Sequence, residues 1–116
     1  MNTTSVYSLV ATVEPKGHLS AANASKFEGQ LITAVKSQKH SILLVDMKEV
    51  DFLDSAGLMA LIKGFRLAQS LGRKLIICSV APSVRIVFEL TQLDKVFEIF
   101  DDRHTFETTF NKPLAA

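Results

Sequence analysis

Apolar and polar positions fall in blocks along the chain, and the period of each block predicts an element. Val6 to Val13 collects β-branched, aromatic and apolar residues and predicts a strand. Glu14-Pro15-Lys16-Gly17 predicts a turn, because proline fixes φ and glycine tolerates positive φ. His18-Leu19 predicts a short second strand that pairs back on the first as a hairpin. Ser20 then offers an N-cap hydroxyl. After it Ala24, Phe27, Leu31 and Val35 recur at helical spacing, with Lys26, Glu28, Gln30 and Lys36 between them. Ile42 to Val45 is an unbroken apolar run, the pattern of a strand covered on both faces. Leu58 to Leu71 is a helix that is apolar nearly all round in its first turns, so it must be well buried, and Gly72 stops it. Lys74 to Val80 repeats the buried-strand pattern. Pro82 suits the first turn of a helix carrying Val84, Val87, Phe88 and Leu90. Val96 to Phe100 predicts a short strand, and Asp102 to Phe110 a last helix that ends before Pro113.

The predicted order is β-β-α-β-α-β-α-β-α. Strands alternating with helices require crossover connections and a largely parallel sheet. The expectation is a single α/β domain over residues 1–116, with a mixed, mostly parallel central sheet, an N-terminal hairpin and about four helices. In such a sheet the strand C-termini and helix N-termini share one edge, where sites collect. Two junctions on that edge carry chemistry: Asp46 after "ILLV", and Asp54-Ser55 in "VDFLDSAGLMAL".

Charge and composition narrow the function classes. A formal net charge of +1 over 116 residues lacks the basic stripe of a nucleic-acid binder. Cys78, the only cysteine, allows neither an internal disulfide nor a thiolate metal cluster, and in "LIICSV" it reads as a core hydrophobe. "MNTTSVYSLV" lacks the basic region and cleavage site of a signal peptide, and no run approaches about 18 apolar residues. A cytoplasmic protein without a membrane span is expected.

Ser55 invites three chemical readings. As a nucleophile it would need an activating histidine, but "G-x-S-x-G" is absent and none of His18, His40 and His104 is placed beside it by the sequence. No histidine pair has metal-ligand spacing, and neither "GxxxxGK[ST]" nor "GxGxxG" occurs, so no catalytic residue, metal or cofactor is expected. As a helix cap its oxygen would accept a backbone N–H, a contribution of about 1 kcal/mol. As a phosphoacceptor it sits where helix N–H groups and the dipole favour an anion, and Ala56-Gly57 adds no bulk to hinder a partner. Asp46 is a rival phosphoacceptor of the receiver-domain kind. Its companions are missing, however: one carboxylate, Glu14, follows the first strand, and Ala81-Pro82 stands where a lysine would be needed.

Three segments, in order and with matching separations, carry a resemblance. "GHLSAANASKFEGQL", "ILLVDMKEVDFLDSAGL" and "LIICSVAPSVRIVFELTQLDKVFEIFDD" together resemble the STAS-domain anti-sigma factor antagonists of bacterial partner-switching modules. The resemblance implies a non-enzymatic switch. The unphosphorylated antagonist binds an anti-sigma factor that is also a GHKL-type serine kinase, and so frees the sigma factor. The kinase phosphorylates the serine after the Asp, the complex dissociates, and a PP2C-type phosphatase resets it. By position that serine is Ser55. The partner surface implied comprises Ser20, Asp51, Asp54, Ala56, Gly57 and Met59. Ser20 stands where the family often has an acid, with His18 two residues before it. The same fold also serves as the cytoplasmic end of anion transporters and in stand-alone scaffolds, where the serine can be absent.

Overall fold

A computed structural model describes residues 10–37 and 40–110 of the chain. The strands are β1 (Val10–Val13), β2 (Lys16–Leu19), β3 (Ile42–Asp46), β4 (Glu49–Leu53), β5 (Lys74–Cys78) and β6 (Glu98–Phe100). The helices are α1 (Ala24–Lys36), α2 (Ser55–Ser70), α3 (Pro82–Leu90) and α4 (Arg103–Phe110), with a 3₁₀ turn at Leu93–Lys95. The expected start of the first strand, Val6 to Leu9, and Pro113 lie outside the described residues.

A four-stranded sheet runs β1-β3-β5-β6, and every pairing in it is parallel. Val10 lies opposite Ile42, Ile42 opposite Lys74, and Ile76 opposite Glu98. The two crossovers after β1 and β3 each contain a helix and one more strand. Because β1 and β3 are neighbours, the segments leaving their C-terminal ends travel side by side. There β2 and β4 pair in parallel as a second sheet of two strands.

That pairing corrects the hairpin. His18 and Leu19 lie opposite Phe52 and Leu53 of β4, not against β1. Buried Pro15 separates the two strands, and Gly17, at φ 74°, bends the chain where the register slips between Gly17 and His18. β4 itself escaped the sequence reading. Two of its five residues are acidic, and only Val50 and Leu53 are buried.

The start of α1 is also corrected. Asn23, not Ser20, holds the N-cap position. Its Oδ1 accepts the Ser20 N–H at 2.9 Å and its Nδ2 donates to the His18 carbonyl at 2.7 Å. The side chain fixes the turn out of β2 and makes no capping bond.

The core has two parts because the sheet is covered on both sides. Leu43, Val45, Leu75 and Ile77 share one cluster with Phe27, Leu31 and Val35 of α1, Leu61 and Ala68 of α2, and Phe88 of α3. Leu44, Ile76 and Cys78 point to the opposite face and meet Phe106 of α4. Burial pushes the Cys78 thiol up to about 11, so the single cysteine serves as a packing group. Small residues let α2 approach closely: a Cβ on Gly64 would stand 3.1 Å from Leu31 Cδ1 of α1.

Candidate functional site

The site is the joint where β4 gives way to α2. The Asp54 N–H donates to the Leu19 carbonyl at 3.1 Å, continuing the β2–β4 pairing by one bond. The Asp54 backbone is extended and the helix starts at the next residue. Its Oδ1 accepts the N–H groups of Ala56 at 2.8 Å and Gly57 at 3.1 Å, and its Oδ2 accepts the Ala21 N–H at 3.3 Å. The Gly57 N–H, followed by those of Ala21 and Ala56, holds the Asp54 carboxyl below the usual range against a smaller upward push from burial. One carboxylate thus binds the first turn of α2 to the segment leaving β2.

Asp54, then, takes the capping role that is one of the readings of Ser55. The competition favours the carboxylate because its two oxygens reach three donors on two segments. Ser55 is the first residue of α2 and is exposed, and its hydroxyl makes no hydrogen bond among the described residues. No histidine hydrogen-bonds to it among the described residues. His18 Nε2 lies 3.4 Å from Asp51 Oδ1, and His40 Nδ1 lies 3.1 Å from Ser37 Oγ. A serine without a base is a poor nucleophile on its own, but it is an open acceptor for a group delivered by another protein.

The remaining residues of the implied surface divide into presented and supporting groups. Met59, one helical turn beyond Ser55, is 47% exposed, so the helix turns it outward. Asp51 is exposed beside His18. Ala56 and Ser20 are half-buried. Gly57 is buried: a Cβ there would lie 2.5 Å from the Leu19 carbonyl oxygen. It belongs to the joint rather than to a surface a partner could touch.

Phe52 was missed. It is 48% exposed, and its ring centroid lies 5.4 Å from that of His18. "VDFL" carries no alternation that marks it: β4 buries Val50 and Leu53 and leaves both Asp51 and Phe52 out.

Asp46, the rival phosphoacceptor, is buried with its side chain sealed from solvent. Its Oδ1 accepts the Lys48 N–H at 3.1 Å, and Arg103 Nε of α4 stands 3.4 Å from its Oδ2. Arg103 Nη2 also meets Glu14 Oε2 at 2.8 Å, and holds the Glu14 carboxyl below its usual range. Asp46 is therefore a tether between the end of β3 and α4, closed to an incoming phosphate donor.

Comparison with known proteins agrees with this geometry. The model of the STAS domain matches residues 3–106. BtrV of Bordetella bronchiseptica, described as a candidate anti-sigma factor antagonist, is 26% identical over 99 residues, covering 85% of this chain and 84% of BtrV. The crystal structure of an anti-sigma factor antagonist from Mycobacterium paratuberculosis superposes with a TM-score of 0.79 at 23% identity, covering 90% of this chain and 87% of that one. A sulfate transporter family protein from Wolinella succinogenes shares the fold at a TM-score of 0.75 and 17% identity, covering 87% and 86% of the two chains. No described helix is long and apolar enough to cross a membrane. With its parallel sheet, its β4–α2 joint and a family match over most of its length, the chain belongs to the STAS-domain family.

Proposed function

We propose that the chain is an anti-sigma factor antagonist whose exposed Ser55 is the on–off position. The unmodified form docks an anti-sigma factor of the GHKL serine-kinase type through Phe52, Ser55, Met59 and the neighbouring Asp51–His18 pair. The sigma factor is then released. Phosphorylation of Ser55 by that kinase ends the complex, and a PP2C-type phosphatase restores it. The exchange takes place in the cytoplasm and needs no cofactor and no catalytic residue of this chain.

One observation supports this reading above the others. A free serine hydroxyl stands at the first position of a helix, flanked in the chain by two exposed apolar side chains and without a base of its own. A phosphate there adds about −1.5 to −2 charges beside Asp54 and Asp51. An apolar partner surface accommodates Phe52 and Met59, but it has nothing to solvate that charge.

The test is phosphate transfer from ATP by the cognate kinase, with the labelled residue mapped by mass spectrometry. Label is expected on Ser55 and absent from Ser55→Ala. Equal labelling of both proteins sinks the assignment. The bound phosphate should survive acid and hydroxylamine, as a phosphoserine does and an acyl phosphate on Asp46 would not. Ser55→Glu should weaken kinase binding at least tenfold, about 1.4 kcal/mol.

A further inference from the structure

We infer that Asp54 is the positioning residue for modification of Ser55: by taking the cap of α2 it keeps the serine hydroxyl out of the helix and available for transfer. The inference rests on the switch reading above. Its foundation is a competition written into "DS". Aspartate and serine are both strong N-cap residues. Placed side by side, they allow two helix starts. In one, Asp54 caps and the helix begins at Ser55. In the other, Ser55 caps, its backbone becomes extended, and its Oγ accepts a first-turn N–H. A hydroxyl held in that way is tied down and turned inward.

The geometry shows why the first start prevails. Asp54 Oδ1 takes two helix amides, and Oδ2 takes the Ala21 N–H of the segment leaving β2. The Leu58 N–H completes the turn on the Asp54 carbonyl at 2.9 Å. Serine has one side-chain oxygen on a shorter arm and cannot bridge the two segments. With the Gly57 N–H taken by the Asp54 carboxylate and the Leu58 N–H by the Asp54 carbonyl, the two amides a Ser55 cap would use are occupied, and the Ser55 side chain stays exposed. The transfer step is then simple. The Ser55 Oγ–P bond forms as the γ-phosphorus–oxygen bond of ATP breaks, ADP leaves, and the hydroxyl proton passes to a base of the kinase.

Two substitutions separate a capping role from a charge read directly by the kinase. Asp54→Asn keeps a short-armed acceptor but loses the charge. Asp54→Glu keeps the charge but carries it on an arm one methylene too long for the helix amides. Initial rates of Ser55 phosphorylation by the GHKL-type kinase should stay within about threefold of wild type for Asp54→Asn. They should fall at least about tenfold for Asp54→Glu, since small misplacements of a reacting group cost that much or more. Carbon chemical shifts of Ser55 in the free proteins give a second readout. They should remain helical in Asp54→Asn and move toward extended values in Asp54→Glu.

The reverse order of rates overturns the inference, because the kinase would then be reading the charge. Helical Ser55 shifts in Asp54→Glu overturn it as well. A wild-type chain that is never modified defeats the switch reading itself. A modified wild type with unaltered variants defeats only the role of Asp54.

Discussion

At the scale of single residues, Asp54 and Gly57 build the start of α2: Asp54 caps it, and Gly57 lets it approach β2. Gly57 lets the first turn of α2 rest on the Leu19 carbonyl, and a methyl group there would meet backbone at 2.5 Å. Backbone cannot rotate aside as a side chain can. Gly57→Ala should therefore destabilise the fold by about 1–3 kcal/mol, the usual cost of overpacking, read as a lower urea midpoint at unchanged m-value. It should also disturb the amide resonances of Leu19 to Ala21 more than those of α3. The "DSAG" motif was legible as a helix start, but which of two adjacent caps would win was not. That choice depends on the Ala21 N–H, 33 residues away in sequence. Exposure of Phe52 was hidden for a related reason: its face is set by the pairing of β4, which periodicity over five residues does not reveal.

At the scale of elements, α4 deserves a stability experiment of its own. It is eight residues long, and it meets the second face of the sheet through Phe106, packed edge-on to Phe100 with ring centroids 5.7 Å apart. An isolated helix of that length has little stability in water, so packing holds it. Phe106→Ala should cost about 3–5 kcal/mol, measured by denaturant unfolding, through the cavity left among Leu44, Ile76 and Cys78. Arg103→Ala should destabilise the fold, by about 1–3 kcal/mol, because the buried Asp46 carboxylate loses its guanidinium and keeps only the Lys48 ammonium, 3.9 Å away. Paired removal with Asp46→Asn should recover part of that loss in a double-mutant cycle. The helices and the buried strands were legible from apolar periodicity. The β2–β4 pairing was not, since a turn followed by a short strand reads locally as a hairpin. Only the adjacency of β1 and β3 sends the following segments side by side.

At the scale of the whole molecule, three carboxylates connect pH to stability. Glu14 is held low chiefly by Arg103, Asp54 by the Gly57 N–H, and Asp102 by the backbone N–H and side chain of Thr105. Each is more acidic folded than unfolded, so the unfolded chain binds protons first as pH falls. Their contribution is fully present above the ordinary carboxyl range of about 4 and is lost as pH drops through the lower folded values. Urea midpoints should be flat from pH 8 to about pH 5 and decline below about pH 4. A decline that begins near pH 6.5 would instead point to a histidine.

The parallel pairing of β2 with β4 has a consequence for when the site comes into being. The two strands are separated in the chain by all of α1 and β3, so they meet only after long-range closure, the slow class of folding event. Until then Leu19 and Ala21 are not beneath the start of α2, and Asp54 has lost one of its three donors. A ribosome-bound chain or a proteolytic fragment carrying "VDFLDSAGLMAL" displays the letters of the motif without its shape. A synthetic peptide of residues 48–63 should accordingly be a poor kinase substrate, at least about a hundredfold below the folded protein in kcat/KM. Under the function proposed above, a switch of this kind would respond to completed folding as well as to phosphate, and immature copies would stay silent.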